Sequence, residues 1–390
     1  MGKRAILIIL DSVGIGAVQD SCLYGDEGCN TLKHIAAAVG GLHLPNLQAL
    51  GLGNLENLQG VYPAAEARGA YGKLLEKSKG KDTTTGHWEM MGIVLEQPFP
   101  TFPQGFPASL IQELERRIGS KTLGNIIASG TEIIARLGQQ HLETGYPIIY
   151  TSVDSVLQMA AHEDVVPVED LYKMCRIARE LLSGEYAVGR VIARPFTGTD
   201  GNFTRTPRRH DFSMPPSRNL LDDIVSAGQK VIGVGKIYDL FAGRSISESY
   251  SIENNRDGMQ QILKLVQGDF SGLLFANLID FDQLYGHRND VSGYARALEE
   301  FDRWLPELMA AMQPSDILFI SADHGCDPTT RGTDHTREQV PVLVYGETVQ
   351  AGIDLGVRSS FADLGRTIAE YLDIQTSIEA GESFYALIRR

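Results

Sequence analysis

The sequence predicts an α/β fold: a core built on a parallel sheet, with a second, inserted α+β domain. Three observations carry that reading. Short apolar runs alternate with amphipathic segments, and Gly or Pro punctuates them, the pattern of repeated strand–helix units. The apolar runs are continuous in Val, Ile and Leu, as expected of strands covered on both faces. Two proline-rich stretches break the pattern and mark crossings between domains.

The elements follow in order. Strands are expected at 5–10, 230–234, 273–279, 316–321 and 340–345. Helices are expected at 217–227, 258–266, 293–312 and 361–371. In the third, Tyr294, Leu298, Phe301, Leu305 and Leu308 recur at three or four residues, the spacing of one helix face. Pro306 predicts a kink there. The segment 97–107 holds four prolines, and 204–217 carries Pro207, Pro215 and Pro216. They bound an inserted domain at 98–214, with the core formed by 1–97 and 215–390. Inside it, 168–182 reads as a helix, with Pro167 at its start and Gly184 past its end.

At about 150 residues per domain, a chain of 390 residues has room for two or three domains. Hydrophobic residues at 43% and charged residues at 22% describe an ordinary globular protein. Lys and Arg number 35 against 49 Asp and Glu, a net charge of −14, which opposes binding to a nucleic-acid backbone. A local basic pocket for a small anion stays compatible with it. Four cysteines without a Cys-x-x-Cys pair make neither a disulfide framework nor a thiolate zinc site. The apolar run 5–10 ends at Asp11, too short for a signal peptide or a membrane span. Ile6 breaks the myristoylation pattern that Gly2 would begin. A reduced, cytoplasmic protein with no membrane or nucleic-acid partner is expected. The oligomeric state leaves no mark in the sequence.

Three expected strands run into acidic residues. The first meets Asp11; the third meets Asp280-Phe281-Asp282, with His287 behind it; the fourth meets Asp323-His324-Gly325, with His335 behind it. Ligands of open α/β sheets bind beyond the carboxyl ends of the strands, so a parallel sheet would gather these groups. Carboxylates and imidazoles suit a pair of borderline divalent ions such as Mn²⁺, Zn²⁺ or Fe²⁺, and paired ions clamp the oxygens of a phosphoryl group. Without thiolates, Mn²⁺ or Mg²⁺ is favoured. Singly, each piece has a plainer reading. Asp11 would be a turn or cap, Asp-His-Gly an ordinary turn, Asp280 and Asp334 caps or supports for ligands, and His43 and His141 solvated side chains. Together they favour a metal site.

In Gly80-Lys81-Asp82-Thr83-Thr84-Thr85-Gly86-His87-Trp88-Glu89, three hydroxyls precede a helix expected to begin near His87. A phosphate is stabilised at a helix N-terminus, and a metal can make a hydroxyl nucleophilic at neutral pH. Helix capping explains the same threonines equally well, and spacing does not choose among the three. No Walker A loop is present.

These blocks, together with Asp11-Ser12-Val13-Gly14-Ile15-Gly16, 150–156, 189–196, 201–207 and 332–338, resemble the phosphopentomutase family of the alkaline phosphatase superfamily over nearly the whole chain. The resemblance implies an alkaline-phosphatase-like, doubly wound core with an inserted cap. It points to Thr83 as the nucleophile, to Asp11, Asp323 and His324 on one Mn²⁺, and to Asp282, His287 and His335 on the other. It implies reversible interconversion of ribose 1-phosphate and ribose 5-phosphate, and of their deoxyribose analogues. A phosphothreonine enzyme and a sugar bisphosphate would be the intermediates, with glucose 1,6-bisphosphate or a similar compound as activator. For the second phosphate, away from the metals, Arg190, Arg205 and Lys236 are favoured, with Asp154 near the sugar hydroxyls. Arg194, Arg208 and Arg209 are further cations of the cap, the last two equally readable as a solvated linker. Cys326 follows Asp323-His324-Gly325 where Asn is expected in many relatives, a change that reads either as a thiol near one metal or as a group behind its ligands, and that leaves the ligands themselves intact. Two other enzymes fit such a core: a metal-dependent phosphatase or phosphodiesterase, in which water attacks phospho-Thr83, and a cofactor-independent phosphoglycerate mutase, which Thr83 and the 189–194 block oppose. A catalytically silent sugar-phosphate sensor has no support in a chain that keeps every expected ligand.

Overall fold

A computed structural model describes residues 2–152, 155–199 and 201–390. The chain divides into two compact units, Met1–Gln97 with Pro216–Arg390, and Pro98–Pro215.

The first unit is built on an eight-stranded sheet. Its spatial order is Glu248–Tyr250, Lys230–Val234, Gly272–Leu278, Arg4–Leu10, Asp316–Ser321, Val340–Tyr345, Ala70–Leu74 and Asp354–Arg358. Arg4–Leu10 is buried at every position and lies parallel to both neighbours. Leu10 pairs with Leu278, and Ile9 with Ser321. Asp11, Asp280 and Asp323 therefore leave the sheet side by side. The buried pair of Arg4 with Asp316, a two-pronged contact at 2.7 and 2.5 Å, pins two of these strands at their other ends. The long helix Val291–Ala311 buries Tyr294, Leu298, Phe301, Leu305 and Leu308, the face its spacing predicts, and continues through Pro306.

The sheet is mixed. Val340–Tyr345 runs antiparallel to both its neighbours, although its apolar run reads like those of the parallel strands. Such a run reports burial on both faces, which this strand has at five of six positions; it carries no information on direction. Ala70–Leu74 escapes sequence reading because Gly72 and Lys73 interrupt its apolar residues.

The second unit holds a six-stranded mixed sheet centred on Val156–His162 and Arg190–Thr197, which are parallel. Helices Ala108–Ile118 and Val168–Leu181 cover one apolar cluster, with Leu110, Leu114, Leu171 and Cys175 inward. Ile133 and Ile134 of Gly130–Thr144 pack in a second cluster with Ile148, Tyr150 and Phe196. His141, expected to be solvated, is instead fully buried. Its Nδ1–H donates to the Tyr146 carbonyl at 2.7 Å and its Nε2 accepts from the His162 amide at 2.8 Å. Both ring nitrogens are thus used by a neutral imidazole, and burial pushes its pKa below the usual 6.5.

Candidate metal centre and nucleophile

Six of the expected side chains converge beyond the carboxyl ends of the central strands. Asp11 and Asp323 are fully buried, and His324 and Asp282 nearly so. Around His324, its Nε2 lies 3.5 Å from Asp11 Oδ1 and 3.3 Å from Asp323 Oδ2. Around Asp282, Oδ1 is 3.2 Å from His335 Nε2 and Oδ2 is 3.4 Å from His287 Nε2, with the two imidazole nitrogens 3.1 Å apart. The His324 and His335 rings lie with centres 3.9 Å apart, tilted by 30°, and join the two groups.

This donor set fits a pair of divalent cations. Asp11 Oδ1, Asp282 Oδ1 and Asp323 Oδ2 are buried and accept no hydrogen bond, an arrangement that is costly unless a cation meets them. His324 donates Nδ1–H to the Gly325 carbonyl at 3.0 Å, and His287 donates Nδ1–H to Thr333 O at 2.5 Å. Each bond fixes the ring so that Nε2 faces the carboxylates, the support that metal-binding imidazoles use.

The same crowding of carboxylates moves the pKa values. Burial raises Asp11 to about 6, and Asp323 adds to that rise. Burial opposes ionisation of Asp323 and Asp282 too, yet His324 and His87 hold the first, and His335, His287 and Lys236 the second, well below the usual range. His324 is lifted to about 10 against its burial by Asp323 and Asp11, and His287 to about 9 by Asp282.

Thr83 is the first residue of helix Thr83–Met90, four residues earlier than the helix start expected at His87. Asp82 makes the cap: its carboxylate accepts from the Thr85 amide at 3.1 Å and from the Thr85 hydroxyl at 2.5 Å. A capping role therefore belongs to Asp82 rather than to a threonine. Thr83 Oγ1 is left facing His324 Nε2 at 3.1 Å. Thr84 and Thr85 are buried. The helix reaches the cluster because residue 86 is Gly: a Cβ there would sit 2.2 Å from the Asp323 carbonyl.

Lys236 lies within the cluster, not in a cradle apart from it. Its Nζ is 2.7 Å from Asp11 Oδ2 and 3.8 Å from Asp282 Oδ2. Burial would lower its pKa, but those two carboxylates raise it. Gly235 delivers it there with φ +80°, pressed so closely on the Asn277 carbonyl that a Cβ would meet it at 2.3 Å.

The other expected binding residues belong to the second unit. Arg190 is half-exposed, 3.5 Å from Asp211, and Arg205 is exposed. Arg208 pairs with Glu163 and Arg209 with Asp211. Asp154 lies outside the described residues. Asp280 accepts from the Asn255 amide at 2.7 Å, and Asp334 pairs with Lys81 at 3.1 Å, so both support the site's frame.

Several groups at the site carry no signal in the sequence taken singly. Ser12 holds φ +71° directly after Asp11, a conformation that a non-glycine residue adopts only when its surroundings compel it. Its amide donates to Asp323 Oδ1 at 3.0 Å. His87 donates Nδ1–H to the Thr83 carbonyl at 2.9 Å and lies 3.3 Å from Asp323 Oδ2. Arg337 is buried; it donates to Glu76 at 2.6 Å and to the Gly80 carbonyl at 2.7 Å, tying the segment before Thr83 to the segment after His335.

The model of the metalloenzyme superfamily matches residues 3–376. The phosphopentomutase of Carboxydothermus hydrogenoformans is 57% identical over 389 residues, all of both chains. That of Acetivibrio thermocellus is 57% identical over 387 residues, covering 99% of this chain and 100% of its own. The chain belongs to the phosphopentomutase family. Among solved structures, phosphoglycerate mutase of Leishmania mexicana aligns with 98% of this chain and 97% of its own, at a TM-score of 0.50 and 13% identity. The PH0037 protein of Pyrococcus horikoshii aligns with 97% and 100%, at a TM-score of 0.50 and 16% identity. These two likenesses concern the fold, and the α/β class expected from the sequence holds. Among the described residues no helix is long and apolar enough to cross a membrane.

Proposed function

We propose that this chain is a phosphopentomutase whose phosphoryl carrier is Thr83. Members of this family are isomerases, and the reaction moves a phosphoryl group between C1 and C5 of a pentose phosphate, ribose or deoxyribose. The observation that carries the choice of nucleophile is the 3.1 Å approach of Thr83 Oγ1 to His324 Nε2, at a helix N-terminus beside buried, unpaired carboxylate oxygens.

Asp11, Asp323 and His324 would hold one divalent ion and Asp282, His287 and His335 the other, Mn²⁺ by the resemblance, with Mg²⁺ also suited. When bound, the pair supplies Lewis-acid neutralisation of the phosphoryl oxygens and of the threonine oxygen. The start of helix Thr83–Met90 adds backbone dipoles that favour a phosphorylated Thr83. In the first transfer, the free hydroxyl of a pentose monophosphate attacks phosphorus, the bond to Thr83 Oγ1 breaks, and a pentose bisphosphate forms. In the second, Thr83 Oγ1 attacks the other phosphoryl group. The proton given up by the first hydroxyl returns to the hydroxyl freed by the second transfer, so atoms and charge balance. A bisphosphate such as glucose 1,6-bisphosphate would charge Thr83 at the start. Arg190 and Arg205 suit the far phosphate because a guanidinium grips it bidentately. Lys236 is placed to neutralise charge beside Asp11, and Asp154 is assigned to the sugar hydroxyls.

Incubation of the manganese-loaded chain with ribose 5-phosphate and catalytic glucose 1,6-bisphosphate tests the reading. Ribose 1-phosphate should accumulate to equilibrium with little free phosphate. Stoichiometric release of phosphate would instead mark a phosphatase.

A further inference from the structure

Cys326 sits where the mechanism above gives it nothing to do. Its Sγ, a ring nitrogen of His287 and a carboxylate oxygen of Asp282 lie within 4.8 Å of one another. Gly286 makes the approach possible, since a Cβ there would meet the sulfur at 2.8 Å. Asp282 Oδ1 is buried without a hydrogen bond, and His335 Nε2 stands 3.2 Å from it. Asp282, His287 and Cys326 thus offer one oxygen, one nitrogen and one sulfur donor to a single position, a mix that suits zinc-like ions. The group of Asp11, Asp323 and His324 contains no sulfur, and among the described residues no other cysteine joins such a cluster.

We propose that Cys326 supplies a sulfur ligand to the ion held by Asp282, His287 and His335, making that position the more thiophilic of the two. The inference rests on the reading that the cluster binds two divalent ions. On binding, the S–H bond breaks as the sulfur–metal bond forms, and one proton is released to solvent. No oxidant or reductant is involved. The sulfur donates to the Asp334 carbonyl in a long contact of 3.5 Å, a weak bond to set against a metal ligand. A thiolate there would bias this position toward Zn²⁺, Co²⁺ or Cd²⁺ over Mn²⁺ or Mg²⁺, while the other position keeps the preference of its carboxylates.

Cobalt(II) is the probe. The full chain is stripped with a chelator and reloaded, and cobalt content and the near-ultraviolet spectrum are recorded. Two cobalt ions per chain and a thiolate-to-cobalt charge-transfer band are expected. In Cys326→Ser the band should vanish while two ions remain. Cadmium affinity at one position should fall by roughly 10- to 100-fold, the scale of losing a supporting group at a metal. Two bound ions without the band, or a band that survives Cys326→Ser and Cys326→Ala, would overturn the sulfur assignment and leave the mutase reading standing. A wild-type chain that takes up no cobalt would overturn both.

Discussion

The two units of the chain handle charge in opposite ways. The first buries three carboxylates and two imidazoles in one cluster, with the partly exposed His287 at its edge, and leaves three carboxylate oxygens without a hydrogen bond. The second carries the cations expected to bind phosphate at or near its surface, where Arg190 and Arg209 share Asp211 and Arg208 meets Glu163. Buried charges in the first depend on one another, because removing any member leaves others uncompensated. Groups on the second are close to independent, so their removal acts locally. Chemistry that needs strong electrostatics belongs in the first arrangement, and recognition that needs a few separable contacts suits the second.

Four changes sharpen or break that contrast. Thr83→Ala should lower transfer by roughly a thousandfold or more, as removal of a nucleophile does, with metal content unchanged because Asp82 still caps the helix. Residual turnover near wild type would remove Thr83 from the reaction. Arg337→Ala leaves Glu76 buried without its partner and frees the Gly80 carbonyl. Burial already raises Glu76 well above its usual pKa, against the pull of Arg337. The expected cost is about 3–5 kcal/mol, read by chemical denaturation of the whole chain, and a loss under about 1 kcal/mol would show the pair to be redundant. Arg205→Ala, in the second unit, should raise KM for ribose 5-phosphate roughly 10- to 100-fold, the worth of hydrogen bonds to a charged group. Two bound ions and a normal melting curve should accompany it, whereas lost metal would merge the two regions.

The smallest effect concerns pH. His141 has a folded-state pKa below 6.5, so the unfolded chain binds its proton first. Its stabilisation is complete above about pH 6.5 and is lost as pH falls toward the folded value. Protection factors of the amides in Val156–His162, exchange divided by its intrinsic rate at each pH, should therefore fall below pH 6.5 and lose that dependence in His141→Gln. Protection factors that stay constant down to pH 5 would contradict a neutral, doubly hydrogen-bonded ring.

The sequence made the core and the charged strand ends legible, for a physical reason. Arg4–Leu10, Gly272–Leu278 and Asp316–Ser321 are covered on both faces, so their apolar runs are nearly continuous, interrupted in the second only by Asn277, and the acidic residue beyond each run stands out. The direction of Val340–Tyr345 was not legible, because burial does not encode it. The burial of His141 is not legible because a buried neutral imidazole looks the same in sequence as an exposed one; only the partners at residues 146 and 162 tell them apart. The helix starts earlier than its sequence suggests because three threonines and a glycine are poor helix formers, while the Asp82 cap and close packing of Gly86 on Asp323 override that preference. Lys236 and Arg337 meet partners more than 200 residues away, which no local pattern reveals.

The central claim is that one threonine oxygen, presented to the buried cluster, carries the phosphoryl group. Peptide mapping by mass spectrometry after brief incubation of the manganese-loaded chain with glucose 1,6-bisphosphate tests it directly. One phosphoryl group should be found on Thr83 and should disappear when ribose 5-phosphate is added. A phosphoryl group on Thr84, Thr85 or Ser12, or an active enzyme that carries none, would contradict the account.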